Sequence, residues 1–442
     1  MDGFAYKNGV LWAERVNLET LASTLGTPLF VYSLGTLAAH FRSLQQAFSP
    51  IDPLICFSVK SCSNLSVLKF LVEQGSGLDV VSGGEIHRAM LAGASPDTIV
   101  FAGVGKSAQE IRYAIDSGIH LFNVESESEL ERIDSIAGES GRHVKVSIRI
   151  NPDVADADTP QKTSTGGRQT KFGIPVTRAA RLYSPGLYDN LRVVGIHAHI
   201  GSPIYNAASY LSALDVIESL LIDVERLGGK VESINMGGGF PAIYDAVQSE
   251  RVSLQEMGAA ICTRLLKFNT RGLRFVIEPG RSISANAGVL LTRVEYLKDG
   301  WDRQIIIVDA GMNVLLRPTL YSAHHCIWPV RSDGSDGHWI EVTDSSRGDK
   351  AGQSVDVVGP ICETGDYLAL ARTLPQLTQG ETLAVFSAGA YAMSMASQYN
   401  SRGRPAEVVV QGNQYRVARQ RESYEDLTAL ELVGLDPLEH PV

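Results

Sequence analysis

Cysteine is scarce in this chain: five in 442 residues, at Cys56, Cys62, Cys262, Cys326 and Cys362. Their odd number and wide spacing exclude a disulfide framework and fit reduced thiols in a cytosol. Positive charge is short as well. There are 39 lysines and arginines against 49 acids, a net charge of −10, so neither nucleic acid nor an anionic membrane is expected as the main partner. No apolar run reaches the ~18 residues of a membrane span, and no basic-then-apolar leader opens the sequence. A cytoplasmic protein is expected. Metal-ligand spacing is also missing. The tempting cluster is His324-His325-Cys326, but neighbours on a strand face opposite ways and no second ligand pair has zinc spacing, so no metal is expected.

What is present is the composition of a globular protein, 44% hydrophobic and 20% charged, in a chain long enough for two domains. From Leu54 to Arg281 short β-branched runs alternate with helical stretches. The expected strands are Leu54–Val59, Leu78–Val81, Thr98–Ala102, Leu121–Val124, Val144–Ile150, Val193–Ile200, Ser233–Met236 and Phe275–Ile277. Segments with apolar spacing near 3.6 lie between them. Eight such units predict a (β/α)8 barrel over 30–285, with its chemistry at the C-terminal strand ends. After Arg281 the pattern turns to strands with little helix, including Val289–Leu297, Gln304–Val308, Trp339–Thr343, Ser354–Val358, Thr382–Ser387 and Glu407–Val410. Residues 286–442, joined by 1–29, are therefore expected to form a separate, mainly antiparallel β domain. In the first thirty residues a helix over Leu18–Leu25 is flanked by strands at Val10–Trp12 and Leu29–Tyr32.

The unusual residues gather at the strand ends. Gly237-Gly238-Gly239 follows one strand, and Glu278-Pro279-Gly280-Arg281 follows the next. Consecutive glycines let backbone approach an anion and present N–H groups to it, which suits a phosphate. A carboxylate beside a phosphate needs a cationic partner on the same ligand. Pyridoxal 5'-phosphate has both parts, a phosphate and a pyridine nitrogen that a carboxylate keeps protonated. That cofactor also needs a lysine, and Lys60 ends the first barrel strand. Alone, Lys60 reads as a solvated strand terminus; beside a phosphate cradle and a matched carboxylate it reads as the attachment point. Asp79 and Ser82 sit in and after the second strand, Arg149 and Asn151 end the fifth, and His197 and His199 the sixth. His199 is placed to stack on a flat ring, and Ser202 beyond it to reach the phosphate. Ser66-Val67-Leu68-Lys69 matches an acyl-serine pattern, but it lacks that pattern's companion motifs and lies in a helical stretch.

These residues carry a resemblance that runs through nearly the whole chain. Gly26-Thr27-Pro28, Leu78-Asp79-Val80-Val81-Ser82-Gly83-Gly84-Glu85, Lys171-Phe172-Gly173-Ile174 and His199-Ile200-Gly201-Ser202 belong to it. So do the glycine triplet, Glu278-Pro279-Gly280-Arg281, Arg317-Pro318-Thr319-Leu320-Tyr321, Cys362-Glu363-Thr364-Gly365-Asp366, Gly389-Ala390-Tyr391 and Tyr399-Asn400. The chain resembles the pyridoxal-phosphate-dependent decarboxylases of basic amino acids, built on an alanine-racemase-type barrel. The resemblance implies that Lys60 binds the cofactor covalently, His199 stacks on its ring and Glu278 pairs with the ring nitrogen. It places Asp79, Ser202, Gly237, Gly238, Gly239, Gly280, Arg281 and Tyr391 around the cofactor. Arg281, Arg317, Tyr321, Glu363 and Tyr391 are implied substrate contacts. Cys362 and Glu363 are implied to come from the partner subunit of a head-to-tail homodimer with shared active sites. One departure stands out. The family reads Tyr-Ala-Val-Lys-Ala-Asn where this chain has Phe57-Ser58-Val59-Lys60-Ser61-Cys62; the lysine is retained and its neighbours are altered.

The parts imply a decarboxylation, with Glu278 keeping the pyridine protonated and Cys362 as the candidate acid that returns a proton to Cα. Arg281 and Arg317 suit a substrate carboxylate at the far end, and Glu363 an ammonium. A simple diamine-forming decarboxylase needs acids there instead. The expected reaction is meso-2,6-diaminopimelate to L-lysine and CO2, the last step of lysine biosynthesis. The alternative is a paralogue acting on another basic or carboxylate-bearing amino acid. A racemase fits the Cys362 loop less well, and a non-catalytic homologue is expected to have lost Lys60 or Cys362.

Overall fold

Short apolar strands and polar helix caps alternate along the first half of the chain. The computed structural model describes residues 3–245, 253–332, 337–339 and 352–435. It divides into two compact units, one of Leu37–Ile243 and Val247–Ser284, the other of the remaining residues. In the first, eight parallel strands form a closed barrel. They are β1 (Leu54–Ser58), β2 (Gly77–Val80), β3 (Ile99–Phe101), β4 (Leu121–Val124), β5 (Val144–Asn151), β6 (Leu191–His197), β7 (Ser233–Asn235) and β8 (Arg274–Ile277). Each pairs with its sequence neighbours, and β8 returns to β1. Helices follow because a side-chain oxygen waits at the right place: Asn64, Ser82, Ser107, Ser126, Asn206 and Ser253 each accept a first-turn N–H, supplying bonds the helix cannot make for itself. The 20-residue helix Ala207–Arg226 buries Tyr210, Ala213, Leu214, Ile217, Leu220, Leu221 and Val224, a stripe of three- and four-residue steps.

Cys56, Val100, Leu121, Val194 and Val276 pack together as a small apolar cluster of strand residues. Nearer the C-terminal ends the strand residues turn polar, and register sets them side by side. Ser58 lies opposite Asp79, Arg149 opposite His197, and His197 opposite Asn235. The predicted barrel is the observed one, with active-site candidates on the face where this architecture places its chemistry.

The second unit is a mixed sheet built on the long strand Gly288–Asp299. That strand pairs antiparallel with Leu29–Ser33, Thr382–Val385 and Gln304–Val308. Two pairings are parallel, Gln304–Val308 with Gln353–Val358 and Ala406–Gln411 with Leu29–Ser33. The run at Leu29, expected to open the barrel unit at residue 30, therefore belongs to this sheet. All five of its residues are buried, so its composition resembles that of a barrel strand while its partners lie far along the chain. The helix Leu18–Leu25 forms as expected, capped by Asn17. Phe4–Lys7 pairs with Val10–Ala13 and with Gly337–His338. Trp339 stacks on Phe386 with ring centres 5.1 Å apart; the rest of the strand expected at Trp339–Thr343 lies outside the described residues. Among the described residues, no helix is long and apolar enough to cross a membrane.

Candidate active site

Glu278 follows β8, and its side chain is 4% exposed. Two amides from different strands donate to the same oxygen, Oε1: Asn123 Nδ2 at 3.0 Å and Asn235 Nδ2 at 2.7 Å. The other oxygen, Oε2, lies 3.3 Å from His197 Nε2. Amide NH2 groups only donate, so Oε1 is held as an acceptor and Oε2 is left to meet a cation. Burial alone would raise the Glu278 carboxyl; His197, Lys60 and His199 outweigh it and hold the group well below the usual carboxylate range. A buried, ionised carboxylate with one oxygen committed is what a protonated ring nitrogen requires.

Lys60 stands just beyond β1, its side chain 39% exposed, and donates to Asp79 Oδ2 at 2.9 Å. Asp79 is fully buried, and burial together with Glu278 pushes its carboxyl up, against the pull of Lys60 and Ser58. Ser58 Oγ donates to the same Oδ2 at 2.6 Å, and Ser61 Oγ caps the Ser58 carbonyl at 2.8 Å. Of the residues that replace the family's usual neighbours, Ser58 thus supports the lysine's counter-ion directly. Asp79 Oδ1 is buried with no hydrogen-bond partner among the described residues. Beside these groups Glu85, in the first turn of the helix Gly83–Leu91, accepts from the Val81 N–H at 2.9 Å. Burial, with Asp79 adding, raises its carboxyl to about 7.

The glycine triplet works differently from the simple expectation. The Gly237 N–H donates to Asn235 Oδ1 at 2.9 Å and the Gly238 N–H to His199 Nδ1 at 3.1 Å, so two of the three N–H groups are engaged by the protein. What demands glycine is the path of the chain. Gly237 and Gly239 have φ of +64° and +103°, and a Cβ on Gly238 would sit 2.2 Å from the Glu278 carbonyl oxygen. The same bonds position His199. Its Nδ1 accepts, so Nε2 carries the proton, and Thr165 Oγ1 anchors its carbonyl at 2.8 Å. Burial, with Arg149 and Lys60 adding, holds the ring well below its usual pKa. A neutral, fixed imidazole plane is suited to stacking. Ser202 Oγ accepts from Arg281 Nε at 3.2 Å, and a Cβ on Gly280 would crowd Ser58 and Ser61 at 3.0 Å.

Arg149 forms a buried ion pair with Glu125 at 2.6 Å, and the second oxygen of Glu125 accepts the Gly173 N–H at 2.9 Å. Phe172 lies against the Arg149 guanidinium, 4.6 Å from ring centre to Cζ. The Lys171-Phe172-Gly173-Ile174 motif is thereby tied to the strand-end residues.

The remaining candidates lie on the β unit. Cys362 and Glu363 are exposed on a loop shaped by buried Asp366, whose carboxylate accepts from Met312 N at 2.6 Å and Ile361 N at 2.5 Å. The Cys362 N–H donates to Asn400 Oδ1 at 2.8 Å, and Tyr399 OH donates to Glu363 Oε1. Tyr391 holds a positive φ of 54° after Gly389-Ala390. Arg317 is buried and opens the short helix Arg317–Tyr321, while Tyr321 is 36% exposed. His324, His325 and Cys326 turn to three separate partners, Arg372, Arg317 and the Tyr244 carbonyl.

The barrel unit matches the family described as "Pyridoxal-dependent decarboxylase, pyridoxal binding domain" over residues 34–285. Over 97% of its length the chain is 44% identical to a diaminopimelate decarboxylase from Pseudomonas aeruginosa, covering 98% of that protein. The chain belongs to the diaminopimelate decarboxylase family. A relative of that name from Aquifex aeolicus is 42% identical, with 95% of each chain covered. Among solved structures, diaminopimelate decarboxylase from Helicobacter pylori complexed with L-lysine superposes with a TM-score of 0.86, at 37% identity over 95% of this chain and 100% of that one. The cofactor of the family is a pyridoxal group, and the residues fit it: an amine on Lys60, a buried ionised carboxylate at Glu278, a fixed imidazole, and backbone that only glycine can follow. Sequence reasoning missed Ser58, Asn123 and Asn235 as working residues. Their only signal was a polar side chain close to the end of an apolar strand.

Proposed function

We propose that the protein decarboxylates meso-2,6-diaminopimelate to L-lysine and CO2, as a carboxy-lyase of lysine biosynthesis. The observation that carries this reading is the buried Glu278 carboxylate held by Asn123 and Asn235 in the barrel unit, in a sequence that also carries the arginines 281 and 317. Pyridoxal phosphate, attached at Lys60, supplies the electron sink for the pair left on Cα when CO2 departs. The chain's own residues do the rest. Glu278 Oε2 stabilises the proton on the ring nitrogen, with Oε1 held by Asn123 and Asn235. Asp79 receives the Lys60 ammonium whenever the lysine is not bound to the cofactor, and His199 is assigned to one face of the ring. Ser202, Gly239, Gly280, Arg281 and Tyr391 are assigned to the phosphate side. Arg281 and Arg317 hold the far carboxylate with charge-assisted bonds, Glu363 the far ammonium, and Tyr321 lines the same end.

The proton that replaces CO2 on Cα is assigned to the Cys362 thiol, delivered from the second subunit of a homodimer. The support is that Cys362 and Glu363 are exposed on their own chain, where another chain can receive them. Four of the five cysteines are buried and all are free, which suits a reducing cytoplasm. The test is CO2 release and lysine formation from meso-diaminopimelate with added pyridoxal phosphate, alongside ornithine, lysine, arginine and carboxynorspermidine. Turnover of diaminopimelate alone supports the reading. Cofactor binding with turnover of a different amine instead would move the substrate to the paralogue.

A further inference from the structure

The three peptide units of the buried glycine triplet are each held differently. The Gly237 N–H donates to Asn235 Oδ1 at 2.9 Å. In the next unit the Gly237 carbonyl accepts the Glu278 N–H at 2.8 Å, and the Gly238 N–H donates to His199 Nδ1 at 3.1 Å. In the third the Gly238 carbonyl accepts the Tyr210 hydroxyl at 2.9 Å, while the Gly239 N–H has no acceptor among the described residues. A buried N–H left without an acceptor is costly, so this one suits a ligand. The Gly238–Gly239 peptide is trans, and in a trans peptide the C=O and N–H point in opposite directions. The bond from Tyr210 to the Gly238 carbonyl therefore also fixes where the Gly239 N–H points. Tyr210 is itself fixed. It is buried in the first turn of the helix Ala207–Arg226 and stacks on Phe240, with ring centres 5.5 Å apart and planes at 12°. Phe48 in turn meets Phe240 edge-on at 5.4 Å. Burial, with Asp156 adding, pushes the phenol up, so the hydroxyl keeps its proton to donate.

We propose that Tyr210 is a positioning residue that orients the Gly238–Gly239 peptide so that the Gly239 N–H meets the phosphate of pyridoxal phosphate. The inference rests on the reading of the glycine triplet as the phosphate cradle. Glycine adopts positive and negative φ with nearly equal ease, so a peptide unit between two glycines can flip and turn its carbonyl to where its N–H was. An N–H attracts an anion there, and a carbonyl oxygen repels it. The Tyr210 hydroxyl gives that carbonyl a partner in one orientation only. A bulkier residue could not restrain the unit from within, because Gly239 has a φ of +103° and a Cβ on it would sit 2.5 Å from the Gly201 carbonyl oxygen. The restraint has to come from outside the loop. The preceding unit is held by Glu278 and His199, the groups assigned to the cofactor ring. Loss of the hydroxyl should therefore be felt at the phosphate and not at the ring.

The test titrates the full-length protein, freed of cofactor, with pyridoxal phosphate and with pyridoxal, which lacks the phosphate, and reads the absorbance of the lysine-bound form. Phenylalanine keeps the ring and its stacking on Phe240, so Tyr210→Phe removes the hydroxyl alone. This variant is expected to raise Kd for pyridoxal phosphate about tenfold and to leave Kd for pyridoxal within about twofold of wild type. At saturating pyridoxal phosphate its kcat should stay within about threefold. Equal weakening of both ligands, or a larger fall in kcat at matched occupancy, would overturn the inference, because the hydroxyl would then support the site as a whole. A crystal structure of the wild-type holoenzyme tests the underlying reading separately. If a phosphate oxygen accepts the Gly239 N–H but Tyr210→Phe leaves Kd for pyridoxal phosphate unchanged, the inference alone is overturned. If the phosphate lies away from the triplet, the cradle reading falls and takes the inference with it.

Discussion

Replacing Asn123 by leucine separates the working of the site from the stability of the fold. Asn123 is fully buried on β4; its Nδ2 donates to Glu278 Oε1, while its own Oδ1 has no hydrogen-bond partner among the described residues. An unsatisfied buried acceptor costs free energy, and a leucine, with the same branching and number of side-chain heavy atoms, removes that cost. Glu278 Oε1 is not stranded by the change, since Asn235 still donates at 2.7 Å. Folding stability should therefore change little, the relieved acceptor offsetting the lost bond to Glu278. Activity should fall. A hydrogen bond to a buried carboxylate contributes about 1.5–3 kcal/mol, and each pKa unit corresponds to about 1.4 kcal/mol. Loss of one of two donors should raise the Glu278 carboxyl by about one unit or more and weaken its hold on the ring proton. The expected loss in kcat is about tenfold or greater at saturating substrate and cofactor. Denaturant unfolding of the apoprotein, CO2 release and cofactor titration make the three readouts. An unchanged kcat in a stable variant would refute the reasoning, as would a loss that vanishes once cofactor occupancy is matched.

Further outcomes are expected elsewhere. Lys60→Ala should abolish both the visible band of lysine-bound cofactor and turnover; retained activity would remove this lysine from the attachment role. Lys60→Ala and Cys362→Ala proteins, each inactive alone, should recover partial activity when mixed and allowed to exchange subunits, and proven exchange without recovery would place the whole site in one chain. Glu85, raised from 4.5 to about 7, binds its proton more tightly folded than unfolded, so its contribution is full below pH 4.5 and is lost as pH rises through 7. Glu85→Gln should then match wild type at pH 4.5 and exceed it at pH 8 by about 1–2 kcal/mol, after allowing for partial solvent screening; denaturant midpoints showing no such divergence would refute this. Ser58→Ala removes a 2.6 Å donor from Asp79 Oδ2 and should shift the pH dependence of cofactor attachment with little change in KM, which a spectrophotometric titration reads.

The barrel was legible because its signals are local. Each strand is a short apolar run, and the helices after β1, β2, β3, β4, β6 and β7 open on an Asn or Ser whose side chain accepts from the first turn. The β unit was harder for the opposite reason. Leu29–Ser33 finds its partners at Gly288–Leu291 and Ala406–Val410, and nothing within five buried residues tells such a strand from one in the barrel. Gln414–Arg419 is largely exposed, its alternating Tyr415 and Val417 included, and Tyr367–Leu374 carries Ala371 at a φ of +50°. Both are strands because their partners hold them, so propensity offered little to read.

At the site, charge in an apolar strand was visible and convergence was not. Lys60, Asp79 and Glu278 stand out because ionised side chains near buried strand ends need a reason to be there. Asn123 and Asn235 show no such anomaly. Their role exists only because two strands bring their amides to one oxygen of Glu278, which no spacing along the chain encodes. His325 makes the same point from the other side. In sequence it belonged to an implausible metal trio. In the folded chain its two neighbours turn elsewhere, and its ring is committed at both nitrogens, to Arg317 and to the Phe386 carbonyl. The chemistry of an imidazole permits a ligand, a base or a brace. An obligate donor on one side and a carbonyl acceptor on the other leave only the brace, and that choice is made by residues the sequence does not place beside it.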